Sequence, residues 1–203
     1  IGHDLRTPLA SLRLRAENVD DDGERERMVA TIDEMSRTLE DILSLARLGR
    51  SKEPVARVDL AALADAAVED LRDLGHDVAL EPSAALPIPL RPVMTTRAIR
   101  NLIDNAVKYG GRARVRVFQD GCEAVVEVED EGPGIAEEHL ERVMDGFQRL
   151  EGSRNRETGG TGIGLTIARS IVREQGGDIR LENRPARGLK ASLRLPLEGP
   201  GAR

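Results

Sequence analysis

The sequence changes its hydrophobic period once, near residue 54, and that change constrains the fold more than any other feature. Before it, apolar residues recur at alternating four- and three-residue steps: Leu5, Leu9, Leu12, Ala16 and Val19, then Met28, Ile32, Met35, Leu39, Ile42 and Ala46. Such spacing lays one apolar stripe along each of two helices, predicted over residues 1–19 and 24–49. Asp20-Asp21-Asp22-Gly23 breaks the run between them. The result is a helical hairpin with more stripe than a single copy can bury, and pairing of two copies into a four-helix bundle is the natural remedy.

After the polar Gly49–Pro54 stretch, which reads as a linker, the pattern shortens. Asp59 is placed to cap a helix over 60–74, and 77–80 reads as a short strand. Residues 92–109 read as a helix. Two alternating runs, 113–118 and 124–129, flank Asp120-Gly121, a hairpin signal. A helix over 162–175 and a strand pair at 178–184 and 189–196 complete the set. Grouped strands with separate helices imply an α+β arrangement, helices on one face of a mixed sheet. The chain thus divides into a hairpin (1–50), a linker (51–55), a second domain (56–198) and a tail (199–203). The polar connection between Gly134 and Gly160 is long enough to be a lid, with room for a short helix near Glu137–Met144.

Composition removes several functions. Of 203 residues 39% are apolar but only 1% aromatic, so the core is built from Leu, Ile, Val and Ala. The net charge of −6 and the lack of stacking side chains argue against nucleic-acid binding. A single cysteine, Cys122, excludes an internal disulfide and a cysteine-based metal cage. No apolar run approaches the ~20 residues that span a bilayer, and no membrane contact is expected of this piece. Because it opens at Ile1, two residues before its most informative motif, it is expected to be part of a longer chain.

Four motifs carry chemistry. His3 lies about 200° from Leu5 and about 180° from Leu12 around a helix, hence away from the apolar stripe. Arg6 and Thr7 share its face at i+3 and i+4. An exposed imidazole is a competent nucleophile once its proton has an acceptor, and Asp4 is the nearest one. Pro8 cannot bond to the Asp4 carbonyl and is expected to bend the helix there. Asn101 and Asn105 stack two amides on one helix face, and an amide oxygen suits Mg²⁺. Lys108 adds a point charge for phosphate and Tyr109 an aromatic face. Asp130-Glu131-Gly132-Pro133-Gly134 follows a strand, where a carboxylate can accept from an exocyclic amine while glycines let a base approach. Gly159-Gly160-Thr161-Gly162-Ile163-Gly164-Leu165 opens a helix, a setting that favours phosphate. It fits neither the P-loop nor the dinucleotide pattern.

In this order and spacing the motifs resemble those of the histidine kinases of two-component signalling. His3–Leu9 is similar to the H box, Asn101–Tyr109 to the N box, Asp130–Gly134 to the G1 box and Gly160–Leu165 to the G2 box. Phe147 resembles the F box, with Met144 where that box often has its first Phe. Asp4, where many relatives have Glu, resembles the subgroup that includes the osmosensing kinase EnvZ. The resemblance implies a dimerisation and phosphoacceptor hairpin followed by a Bergerat-type ATP-binding sandwich. It implies ATP and Mg²⁺ as cofactors, His3 as phosphoacceptor and Asp4 as its base. Asn105 would hold the metal, with Asn101 and Lys108 near the phosphates. Asp130 would read adenine, with Gly132 and Gly134 lining the base and Tyr109 flanking it. Arg149, Gly160, Thr161, Gly162, Gly164 and Leu165 would belong to the lid and phosphate wrap.

Partners implied by the resemblance are a second copy of the chain and a response regulator, and the ATP domain would swing across the linker to reach His3. Asp4 and Thr7 form an Asp-x-x-Thr pattern that implies phosphatase activity toward that regulator. A membrane sensor segment is expected upstream and a cytoplasmic location for this part. Relatives of the sandwich that hydrolyse ATP carry a glutamate where this chain has Asn101. An amide is a poor base for water, which favours transfer over hydrolysis. A nucleotide-binding scaffold and another ATPase of this fold stand as alternatives.

Overall fold

The computed structural model describes residues 2–47, 53–144 and 163–199, and the chain separates into two units. In the first, α1 (Gly2–Ala16) and α2 (Asp22–Arg47) form the expected hairpin. α1 runs on through Pro8 but stops three residues short of the predicted end. The Asn18 side-chain amide donates to the Leu14 carbonyl (2.7 Å) and closes the last turn. α2 starts two residues early because Asp21, within the acidic break, accepts the Glu24 N–H (2.7 Å) as an N-cap. Of the stripe, Ala16 and Ile32 are buried in the single chain. Leu12, Met28 and Met35 stay 47%, 41% and 51% exposed, the shortfall anticipated for one hairpin.

In the second unit, a sheet of order β2-β4-β5-β7-β6 carries three helices on one face. Its members are β2 (Val78–Leu80), β4 (Ala113–Asp120), β5 (Glu123–Asp130), β6 (Asp178–Asn183) and β7 (Leu189–Pro196). β2 runs parallel to β4, and the other neighbours are antiparallel. α3 (Leu60–Asp73), α4 (Pro92–Gly110) and α5 (Gly164–Glu174) supply the apolar layer, among them Leu71, Ile99, Leu102, Ile103, Ile167 and Ile171. The β4–β5 loop is Gly121-Cys122, one residue later than the Asp-Gly signal suggested, because Asp120 still pairs with Glu123. In place of one short helix near 137–144 there are two 3₁₀ turns, Glu137–His139 and Arg142–Met144.

A two-stranded ribbon of β1 (Ala56–Asp59) and β3 (Pro87–Leu90) was not anticipated. β3 contains Pro87 and Pro89, which signal against a strand except at a sheet edge. Asp59 does cap α3, accepting the Ala61 N–H (3.0 Å), and the same oxygen accepts from Leu86 (2.8 Å), tying cap and ribbon together.

The solvent face of the sheet is a charge lattice. Across the strands Arg114, Glu129, Lys190 and Glu182 stand side by side in alternating sign. Lys190 pairs with Glu182 at 2.5 Å, and Arg116 pairs with the buried Glu127. Opposite-charge neighbours keep one face of an antiparallel sheet wet. At the α5–β6 junction, burial alone would raise the Asp178 pKa. Hydrogen bonds from Arg169 and Arg173 and the Ile179 N–H outweigh it and hold this carboxyl well below the usual range. A carboxyl depressed in the folded state contributes stability above its unfolded pKa of about 4 and loses it as pH falls further. Urea midpoints of the chain should therefore drop between pH 5 and pH 3. Asp178→Asn should be less stable at pH 5 and show a shallower drop.

α4 has no cap of its own: Arg91 makes no side-chain capping bond, and the first turn holds no acidic residue. Glu53, 40 residues upstream, supplies one, accepting from Val93 N (2.6 Å) and Met94 N (3.1 Å). A carboxylate there satisfies two orphan donors and complements the helix dipole. Glu53→Ala should cost about 1 kcal/mol, read as faster amide exchange at Val93 and Met94, with Glu53→Gln intermediate. The buried Gln175, at the end of α5, accepts the Arg91 N–H (2.7 Å) and donates to Thr95 Oγ1 (3.2 Å), locking α5 to the same end of α4.

Candidate functional site

α4 is the wall on which the site is built. Its Leu102, Ile103 and Ala106 are buried, which leaves Asn101, Asn105 and Lys108 as the adjoining half-buried stripe, spaced i, i+4, i+7. At one end of that stripe stands the first turn of α5. Asn101 Nδ2 donates to the Gly164 carbonyl (3.1 Å), and a Cβ added to Gly164 would lie 3.9 Å from both Asn101 Cγ and Asn105 Nδ2. Asn105 Nδ2 is buried without a hydrogen-bond partner among the described residues. A buried amide with a polar atom unspent is costly unless a ligand engages it. Turned about its last bond, the same amide presents its oxygen, the hard donor Mg²⁺ prefers. Among the described residues no cluster of three or more His, Cys, Asp or Glu side chains is placed to hold a metal.

At the other end, α4 runs into the loop after β5. A Cβ on Gly110 would come 2.6 Å from Asp130 Cβ and 2.9 Å from Glu131 N, so only glycine permits this approach. Asp130 is 7% exposed. Its Oδ1 accepts from Gly132 N (2.7 Å) and Leu189 N (3.1 Å), while Oδ2 has no partner among the described residues. Tyr109, the single tyrosine, stays half exposed beside this loop, with Lys108 Nζ 5.3 Å from its ring centroid. One helix thus brings the paired amides, the lysine, the tyrosine and the strand-end carboxylate together.

Gly132 is buried, Gly134 takes φ 75°, and Gly164 and Leu165 open α5, as the motif order suggested. Arg149, Phe147, Gly160, Thr161 and Gly162 lie outside the described residues. The backbones of His3 and Asp4 belong to α1, but their side chains, like that of Arg6, also lie outside them; Thr7 is exposed. Sequence reasoning missed the β6–β7 connection: Asn183, Arg184 and Arg187 all contact the 130–135 loop. Its Asn-Arg-Pro-Ala-Arg-Gly sequence signals a turn and nothing more.

Residues 91–199 match the family described as histidine kinase-, DNA gyrase B- and HSP90-like ATPases, and residues 1–51 match the His Kinase A phospho-acceptor domain. The chain is 40% identical over 200 residues to the sensor histidine kinase GtrS of Pseudomonas aeruginosa, covering 98% of this chain and 41% of that protein. Among solved structures, the ATP-binding domain of PrrB from Mycobacterium tuberculosis matches with a TM-score of 0.58 and 28% identity, over 70% of this chain and 96% of that one. Full-length ShkA in complex with AMPPNP shares the fold at a TM-score of 0.74 and 23% identity, over 97% of this chain and 44% of its own. This chain belongs to the sensor histidine kinases of two-component signalling. It spans less than half the length of curated relatives such as GtrS and the Escherichia coli sensor RstB, and no described helix is long and apolar enough to cross a membrane.

Proposed function

We propose that this chain transfers the γ-phosphoryl group of ATP to His3 and passes it to an aspartate of a response regulator. The observation that carries the reading is the face of α4. It presents the amides of Asn101 and Asn105 to the site, and Asn101 is already committed to the Gly164 carbonyl. An amide is a poor base for water, while phosphoryl transfer needs only positioning and charge neutralisation.

Asp130 Oδ2 accepts the amino group of adenine, and Tyr109 flanks the ring. Asn101 and Lys108 border the phosphates, and Arg149, Gly160, Thr161 and Gly162 close over them. Asn105 would hold Mg²⁺ through its amide oxygen, a group that would supply neutralisation of the charge spread over the phosphates. One His3 ring nitrogen attacks the γ-phosphorus as Asp4 takes the proton from the other. The N–P bond forms, the bond to the β-phosphate oxygen breaks, and ADP leaves. Asp4 and Thr7 orient water for the reverse duty, dephosphorylating the regulator.

The half-exposed Leu12, Met28 and Met35 support dimerisation through the hairpin, the regulator docking beside His3. The core sits on the cytoplasmic side of a longer sensor whose input segment precedes it. Incubation with γ-labelled ATP and Mg²⁺ tests the reading: the chain should acquire an acid-labile, alkali-stable label that moves to a receiver domain. Release of free phosphate without such a label would favour a plain ATPase.

A further inference from the structure

The loop that bears Asp130 is held from outside by the β6–β7 connection. Asn183 brackets Ile135 as a neighbouring strand would, accepting its N–H at Oδ1 (2.9 Å) and donating from Nδ2 to its carbonyl (2.6 Å). Arg184 donates from Nη1 to the main-chain carbonyl of Asp130 (2.6 Å), with Nη2 3.3 Å from the Glu129 carboxylate. Arg187 donates from Nε to the Gly132 carbonyl (3.3 Å). Leu189 N–H reaches Asp130 Oδ1 itself. Gly188 makes the approach possible: at φ 102° it lies where any Cβ would run into the Asp130 carbonyl oxygen. Three side chains and two backbone positions at one short connection thus converge on four residues, Glu129, Asp130, Gly132 and Ile135.

We propose that Arg184 and Asn183 are positioning residues for base recognition, a role that rests on the reading of Asp130 as the adenine acceptor. The clamp fixes Asp130 from both sides of its Cα: Arg184 holds the carbonyl, and the Gly132 and Leu189 amides hold one carboxylate oxygen. The remaining oxygen is left in a single orientation. A carboxylate so fixed accepts from the 6-amino group of adenine and opposes the 6-keto oxygen of guanine, which offers no proton. Discrimination of that kind comes from acceptors that cannot turn away from the wrong partner. Arg184 is suited to the task because its guanidinium presents several donors in one plane, serving a carbonyl and a carboxylate together.

Steady-state labelling of the intact chain with ATP and GTP tests this, using Arg184→Ala, Asn183→Ala and Arg184→Lys. Loss of one charge-assisted hydrogen bond should raise the KM for ATP by about tenfold. The maximal labelling rate should hold within about twofold, and the preference for ATP over GTP should fall by about the same tenfold factor. Arg184→Lys keeps the charge beside Glu129 and should recover thermal stability but only part of the KM. An unchanged KM in both alanine variants would overturn the proposal. So would a parallel fall of KM-independent rate and thermal midpoint, the mark of a merely structural contact. Asp130→Asn separates the underlying reading: if that variant binds ATP as the parent does, the acceptor assignment itself fails, whatever Arg184 does.

Discussion

A His3→Ala chain is expected to take up no acid-labile label from γ-labelled ATP, while binding ADP with parental affinity. The two halves of that expectation come from different units of the fold. The described residues assigned to nucleotide lie on α4, at the end of β5 and in the loop after it, and at the start of α5, and His3 is on α1. Removing an imidazole from the hairpin leaves the sandwich core untouched, so binding and transfer should separate cleanly. The chemistry of the label adds a second check, because a phosphoramidate hydrolyses in acid and survives base. The chain has three histidines. His76 follows α3 and is exposed, and His139 sits in a 3₁₀ turn, 3.5 Å from the Glu138 carboxylate. Label that persists in His3→Ala would have to map to one of these, and the phosphoacceptor assignment would fall.

The second large effect is expected at Asn105. Its amide nitrogen is buried with no hydrogen-bond partner among the described residues, so on the proposed reading its replacement by alanine removes a ligand contact rather than a fold contact. The labelling rate should drop by about 10²–10³-fold, the scale seen when one preorganised electrostatic contact to a transition state is deleted. Stability should hold or rise slightly, since an unsatisfied buried amide disappears. Asn105→Asp keeps an oxygen donor and should retain part of the rate, with a shifted Mg²⁺ dependence measured by titration. Equal rates in Asn105→Ala and the parent would remove this residue from the metal site. Asn101 offers a useful contrast, because its amide already donates to the Gly164 carbonyl. Its loss should loosen α5 as well as the site.

Much of this architecture is legible in residue order because local and global signals agree. The hairpin stripe, the Asp59 cap and the alternating β4 and β5 runs each follow from spacing a few residues long. So does the stacking of Asn101 on Asn105. What escaped depends on pairing across long separations. β1 and β3 pair across 28 to 34 residues, and the prolines of β3 hide it. The clamp from Asn183 and Arg184 reaches a loop 48 to 54 residues away. The Asp21 cap was masked by its neighbours, since three successive aspartates read as a break although one of them starts the next helix. The juxtaposition of Gly110 with Asp130 was equally invisible, although one residue directly follows a recognised motif and the other opens one, because no spacing rule predicts which helix end abuts which strand end.

The Glu53 cap has a practical corollary for dissecting the protein. A fragment begun at Ala56 would keep every strand and helix of the sandwich yet lose the carboxylate that closes α4. One begun at Glu53 would keep it. The start of the smallest faithful ATP-binding piece is thus set by a side chain three residues ahead of the first strand. Two fragments differing by those three residues would not be interchangeable reagents: the shorter would begin the site-bearing helix with frayed amides and would misreport its affinity.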